Sequence, residues 1–449
     1  MKKSLLLLLG CLVLTPVESM AQGQLEAYIS FGLENNLVLK EKSIELEKSL
    51  LALKEAKSYF LPSLDFGANY TLASGGRTID IPIGTLLNPV YATLNQLTGS
   101  NAFPQLENVS EQFLPDNFYD ARFRASLPIY NKDLQYQKQI RADQIRISQY
   151  ELEIYKSHLT QEIKIAYFTF LSAHTAVELI QSSKGLVLQN LKDNQSLLKN
   201  GKVLPAAVLR AESEVQNIEA MLIDAENKRK NSAQYFNFLL NRPLSEPIIA
   251  ENQALDLDGI TRILEETNLK LRPEILQIQT AESIQQTLLQ SGRSFWVPKV
   301  NTFADLGSQA FDWKFDSRSR YLIWGLNLSV PIFQGGRNRT QIQRAQLGIQ
   351  SIQNQMQLLD QKLHLELELG KNELQTQIAS LKSAEKKLEA ANAYFRLVDR
   401  GYREGVNSLI EFIDARNQFT LASLQQNIIS YQVLKSLAQL ERQLQTQTN

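Results

Sequence analysis

Tyr321-Leu-Ile-Trp-Gly-Leu-Asn-Leu-Ser-Val330 decides the fold, because it alternates. Leu322, Trp324, Leu326, Leu328 and Val330 share one face, and Ile323, Gly325, Asn327 and Ser329 share the other. A period of two is the mark of a strand, here with one greasy face and one mostly polar or small. Pro331 cannot donate a ladder hydrogen bond, so the strand is predicted to end there. Gly335-Gly336 follows as a flexible joint. Residues 338–400 then contain no proline, and apolar residues recur at helical spacing. A helix of that length spans roughly 95 Å. Few soluble domains run a strand directly into such a rod.

The same grammar occurs earlier in the chain. Residues 25–60 have helical spacing, broken near Asn35-Asn36, and end at Leu61-Pro62. Leu64, Phe66, Ala68, Tyr70 and Leu72 then alternate with Asp65, Gly67, Asn69 and Thr71. Residues 74–118, with four prolines, read as a long loop. In the strand predicted at 119–127, Phe123, Ala125 and Leu127 lie opposite Arg122, Arg124 and Ser126, and Pro128 stops it. Residues 134–200 predict a helix of roughly 100 Å. Gly201 marks a tight turn, and a helix at 206–240 stops at Asn241-Arg242-Pro243. A connector at 243–268 leads to helices at 270–295 and, after the strand and rod already described, at 408–445. Pro62 and Pro298 stand 236 residues apart, Pro128 and Pro331 203, and Gly201 and Gly405 204. The change of offset, 33 residues, falls wholly between the paired strands. This is a duplicated unit of helix, strand, strand, long helix, turn and helix, differing mainly in one loop. The repeats are placed at 22–245 and 246–449 of a single domain.

Lys2-Lys3, an apolar core at 5–14 and Ser19-Met20-Ala21 read as a secretory signal peptide at 1–21. Leu8-Leu9-Gly10-Cys11 resembles a lipobox but lies too early, inside the apolar core. Cleavage removes the single cysteine, and with it disulfide chemistry. Losing Lys2, Lys3 and Glu18 leaves 45 basic against 46 acidic residues, with no basic surplus for nucleic acid. Beyond the signal, no apolar run reaches the roughly 18 residues of a membrane-spanning helix. Alternating barrel strands escape that test.

Strands of about ten residues suit a tilted bilayer-spanning barrel. Four strands per chain cannot close one, and open edges are not tolerated in lipid, so a membrane-embedded chain must oligomerise. Three copies supply about twelve strands and two about eight. The contrary reading is two soluble hairpins packed on helices. Exposed Trp324 and Tyr70 sit badly with it, and Arg122, Arg124 and Asp65 suit a watery lumen.

Val330-Pro-Ile-Phe-Gln-Gly-Gly-Arg337, Phe60-Leu-Pro-Ser-Leu64, Arg272-Pro-Glu274 and the stretch from Gly405 through Asp414-Ala415 resemble the TolC family of outer-membrane efflux proteins. The resemblance covers nearly all of the chain after the signal. It implies a mainly α fold with a β-barrel portion, as a homotrimer whose twelve-stranded outer-membrane barrel continues into a long periplasmic α-helical barrel. It also implies a passive exit duct that works with a periplasmic adaptor and an inner-membrane transporter, in contact with outer-membrane lipid. The alternatives are a periplasmic coiled-coil adaptor or scaffold without a pore and, more distantly, a secreted enzyme.

No catalytic constellation, cofactor motif or metal site is legible. His158, His174 and His364 are scattered along long helices, and no Lys-Ser/Thr follows Gly335-Gly336 as a phosphate loop would need. The Arg and Glu runs read as mostly solvated faces. Gly201 and Gly405 read as helix C-caps. The resemblance makes those turns adaptor-docking tips, built from Gly201, Val203, Leu204, Arg403, Gly405, Ser408 and Leu409. It also makes Glu411 and Asp414, three apart on one helical face, the paired acids of a periplasmic gate. Tyr402 matches a gate tyrosine of the family. Asn407 stands where the family has an arginine, and Ala207 replaces an acidic partner, so the family's lock is incomplete here.

Overall fold

The computed structural model describes residues 23–251, 257–266 and 272–444; the expected signal peptide, with Cys11, lies outside them. In chain order the elements are α1 (Gln24–Asn35), α2 (Leu37–Ser58), β1 (Ser63–Thr71), β2 (Thr78–Ile81), α3 (Ile83–Thr98), β3 (Val109–Gln112) and β4 (Phe118–Tyr130). Then come α4 (Lys132–Lys199), α5 (Pro205–Leu239), α6 (Leu257–Glu265), α7 (Pro273–Arg293), β5 (Lys299–Phe311), β6 (Arg320–Ser329), α8 (Arg337–Arg403) and α9 (Leu409–Leu444). These residues form two compact units, each drawing on both halves of the chain.

The sheet unit comprises residues 48–145 and 281–352. Its four antiparallel strands run in the order β1-β4-β5-β6, so β1 and β6 are both edges. The alternation read in the sequence is physical. Asp65 pairs with Arg124, Arg124 with Asp305, and Asp305 with Ile323, so the charged positions line up across one face. Arg124 holds Asp305 through two hydrogen bonds of 2.7 and 2.6 Å, Arg122 binds Asp120 at 2.7 Å, and Tyr321 donates to Asp120. On the opposite face Phe66 meets Phe123 at 4.9 Å, and Leu322, Trp324, Leu326 and Leu328 stand exposed on β6. Trp324 is 70% exposed, which for so large an indole marks a surface that expects a covering.

Two expectations for this unit need correction. β4 does not stop at Pro128 but runs on to Tyr130, with a register shift between those residues. The pairing with β1 ends at Ser126, so beyond it β4 is itself an edge, where a missing N–H costs little. The region 74–118 is not a plain loop. It holds the β2–β3 ribbon and the sixteen-residue α3, which carries Pro89 in its interior.

The helical unit comprises residues 23–47, 146–280 and 353–444 of the described chain. Its largest core gathers Tyr28, Leu159, Ile163, Tyr167, Phe170, Phe236 and Leu240. Tyr28 meets Phe236 edge-on at 5.1 Å, and the Tyr167 hydroxyl donates to Ile249 O at 3.0 Å, so each ring is packed and its polar tip satisfied. The break at Asn35-Asn36 has a clear cause. Asn36 caps α2 by accepting from Leu39 N at 3.1 Å, and its amide donates to Leu239 O at 3.0 Å. The expected connector contains α6, whose Ile260 packs with Leu363, Leu367 and Leu440. α4 includes one 18-residue window apolar enough to cross a membrane by composition, contrary to the sequence expectation, and 44% of that window is buried inside the protein. α4 itself supplies Leu159, Ile163, Tyr167 and Phe170 to the largest core.

Candidate functional site

The two helical turns of the helical unit are built alike at the start. At the first, Gly201 takes φ +70°, Lys202 N bonds Leu197 O and Gly201 N bonds Leu198 O, each at 2.9 Å. At the second, Gly405 takes φ +78°, Val406 N bonds Gly401 O at 2.7 Å and Gly405 N bonds Tyr402 O at 3.1 Å. Both are Schellman caps, in which the left-handed residue satisfies helix carbonyls that would otherwise dangle.

They part company at the next helix. α5 begins with Pro205 after Leu204, which supplies no side-chain cap. α9 begins with a capping box: Glu411 N donates to Ser408 Oγ at 3.3 Å, and Ser408 N donates to Glu411 Oε2 at 2.7 Å. Ser408 Oγ and Asn407 Nδ2 add bonds to the same oxygen at 3.0 and 3.4 Å. The Ser408 backbone bond, then those of the Ser408 and Asn407 side chains, hold the Glu411 carboxyl below its ordinary 4.5. Asp414 is exposed and accepts from Gln418 Nε2 at 2.7 Å. It lines an open hollow of about 600 Å³ with Ala206, Ala207, Arg210, Leu409, Ile410 and Ile413. Glu411 and Asp414 therefore lie on neighbouring turns of one helix but keep separate partners.

Tyr402 does not bond to either acid. Its hydroxyl lies 3.1 Å from Asn194 Nδ2 and 3.3 Å from Asn194 Oδ1, tying α8 to α4, and its ring stacks on Phe412 at 4.9 Å. Asn194 is fully buried, so this link is a specific one. Arg403 is engaged along its own helix by Asp399, at 3.0 Å. The turns also present Leu204, Val406 and Ile410, each at least 75% exposed.

Below the turns lies a feature that reading charge as solvated face missed. Arg416 on α9 is 2% exposed and donates to Glu214 on α5 at 2.7 Å; Arg210 reaches the same carboxylate at 3.1 Å. Burial pushes the Arg416 guanidinium below its ordinary value, against the pull of Glu214. Arg416 occupies the buried stripe of Phe412, Ala415, Thr420 and Ser423, and that spacing was the available signal. The Arg272-Pro-Glu274 motif is likewise internal. Burial pushes the Glu274 carboxyl up, but the Arg272 hydrogen bonds, at 2.7 and 3.2 Å, prevail and hold it low. The three histidines each lie 3.6 to 3.8 Å from one acid of their own helix, and no cluster of three metal-ligating side chains occurs among the described residues.

Comparison with known proteins agrees with this architecture. The family described as outer membrane efflux protein matches residues 266–444. The outer membrane protein TolC of Escherichia coli K12 is 21% identical over 435 residues, covering 92% of this chain and 80% of TolC. The pyoverdine export outer membrane protein OpmQ of Pseudomonas aeruginosa is 29% identical over 191 residues, 39% of each chain. The Campylobacter jejuni CmeC outer membrane channel superposes with a TM-score of 0.74 at 16% identity, covering 94% of this chain and 85% of CmeC. This chain is thus similar to TolC over most of its length and shares the fold of CmeC, and its residues 266–444 match the outer membrane efflux protein family.

Proposed function

We propose that three copies of this chain form an outer-membrane exit duct, through which an inner-membrane transporter and a periplasmic adaptor pass small molecules or proteins to the exterior. The observation that carries this reading is the sheet. It has one charged face, one exposed apolar face and two open edges. In lipid such edges must pair with identical neighbours, and three copies close a barrel of about twelve strands. Asp65, Arg122, Arg124 and Asp305 then face the water of the lumen, while Trp324 and Phe66 face lipid. Each chain contributes one domain, duplicated as repeats 22–245 and 246–449.

The turns at Gly201 and Gly405 are the periplasmic mouth on this reading. Gly201, Val203, Leu204, Gly405, Ser408 and Leu409 offer small and apolar positions against which an adaptor's helical tip can pack, and Arg403 offers a charged hydrogen-bond donor beside them. Closure rests on the Tyr402–Asn194 link and on a ring of carboxylates from Glu411 and Asp414. Asp414 is the more available of the two, because Glu411 is committed to its helix cap. Asn407, bonded to Glu411, leaves the mouth without an arginine latch at that position. A ring of like charge attracts cations and repels anions.

Detergent extraction followed by native mass spectrometry tests the assembly, with a trimer expected. A monodisperse monomer in buffer without detergent would refute it. For the mouth, planar-bilayer recordings should show cation selectivity and block by a trivalent cation added on the periplasmic side. Asp414→Ala should weaken that block, and Glu411→Ala with Asp414→Ala should remove it. Persistence of the block in the double variant would place the ring elsewhere.

A further inference from the structure

The helix α3, inside the region between β1 and β4, is turned the opposite way from an ordinary amphipathic helix. Its apolar residues Ile83, Leu86, Leu87, Val90, Leu94 and Leu97 share one stripe. Within it Leu86 is 68%, Val90 51% and Leu97 78% exposed. Its polar face is the one held inward. Asn88 exchanges both amide bonds with the Leu106 backbone at 2.8 and 2.9 Å, and Asn95, seven residues on, does the same with Phe103 at 2.8 and 3.0 Å. Thr85 bonds to Asn108 at 3.0 Å. Gly84 fixes the approach, since a Cβ there would stand 2.1 Å from Leu106 O. The segment 103–108 thus clamps the helix by its back and leaves Leu86, Val90 and Leu97 uncovered, with Ile83 half-buried at one end of the stripe.

Three observations say what covers that stripe. Ile83, Val90 and Leu97 recur at seven residues, the spacing by which identical helices pack along a common seam. Residues 81–106 contain no Asp, Glu, Lys, Arg or His. A helix that lies on a lipid surface carries basic residues on its polar face, whereas here that face is spent on backbone bonds. Finally, the segment follows β1, an edge strand of the sheet, after only a short connection and the four-residue β2. On the reading proposed above, which this inference rests on, that edge is the seam between copies.

We propose that α3 packs against α3 of the two neighbouring copies of this chain, through Ile83, Val90 and Leu97. The seam is a short three-helix cluster that narrows the outward mouth of the duct. An uncharged helix pinned by two asparagines keeps its apolar stripe presented without burying it in its own chain, as such a self-association requires.

Short-range cross-linking tests this in the full chain carrying Cys11→Ser. Val90→Cys, treated with a short bifunctional maleimide in the purified assembly, should shift the denatured band from monomer to dimer size. Ala92→Cys, on the opposite face, should leave it at monomer size. Native mass spectrometry of the same samples counts the copies. An intact trimer in which Val90→Cys stays monomeric but reacts with a monofunctional maleimide would overturn the seam and leave the trimer reading standing. A nitroxide at position 90 relaxed by lipid-phase oxygen would overturn it in favour of the membrane surface. A monomer would take down both.

Discussion

The two turns at Gly201 and Gly405 stop their helices by the same backbone device and start the next helices by different ones. What they share is dictated by φ: both glycines take the left-handed conformation, where a side chain costs roughly 1–2 kcal/mol. What separates them is side-chain chemistry. Pro205 starts α5 with a fixed φ and no charge, whereas Ser408 and Glu411 start α9 with reciprocal hydrogen bonds to a carboxylate. The two turns share what the chain geometry demands and differ in what side chains can offer. The second turn is consequently the one whose helix cap carries a titratable carboxylate.

The strongest way to break this comparison is to remove the tie that holds both hairpins in one frame. Arg416→Leu leaves Glu214 buried with only Arg210 beside it. Local opening of the α5 and α9 tips, read by hydrogen exchange, should become easier by about 3 kcal/mol. Adding Glu214→Met should recover most of that loss, since an apolar pair of similar volume is tolerated where a lone buried charge is not. If the single and double variants exchanged alike, the pair would have no part in coupling the turns.

A smaller effect sharpens the contrast. Ser408→Ala should loosen the first turn of α9 by about 1 kcal/mol, while Leu204→Asp should tighten the first turn of α5 by somewhat less. The capping carboxylate adds a pH signature. Glu411 has a folded value below its ordinary 4.5, so its cap is fully present above that value and is lost as pH falls through the lower folded one. Protection of the amides at the start of α9, taken relative to the unstructured exchange rate, should therefore fall on acidification below about pH 4.5, with no matching change in the first turn of α5 after Pro205. Equal acid sensitivity at both turns would erase the distinction.

The sequence made some of this legible and hid the rest for physical reasons. Alternation in 321–330 reads as a strand because one face is apolar and the other mostly polar or small. The glycines read as caps because few other residues tolerate their φ. Ser408-x-x-Glu411 spells a capping box in plain letters, yet its acid also fits a gate, and only the hydrogen bonds show that the cap claims it first. Asn194 was beyond reach because its partner Tyr402 lies 208 residues away. α3 was hidden because Pro89 argues against a helix, and because the bonds that stabilise it come from residues that follow it, from Phe103 to Asn108. Glu214 and Arg416 were read as surface charges because charge usually means solvent, a rule that fails when two opposite charges are buried together.

The open borders of the sheet carry one further consequence. β1 and β6 each present a row of backbone donors and acceptors that their own chain leaves unmatched. Before a newly made chain meets its siblings, those rows are templates for any passing strand. In the assembly proposed above, the native state is reached by collision as well as by folding, so its stability depends on protomer concentration. Dilution becomes a denaturant for such a protein, and a mutation that merely lowers expression can look like one that breaks the fold.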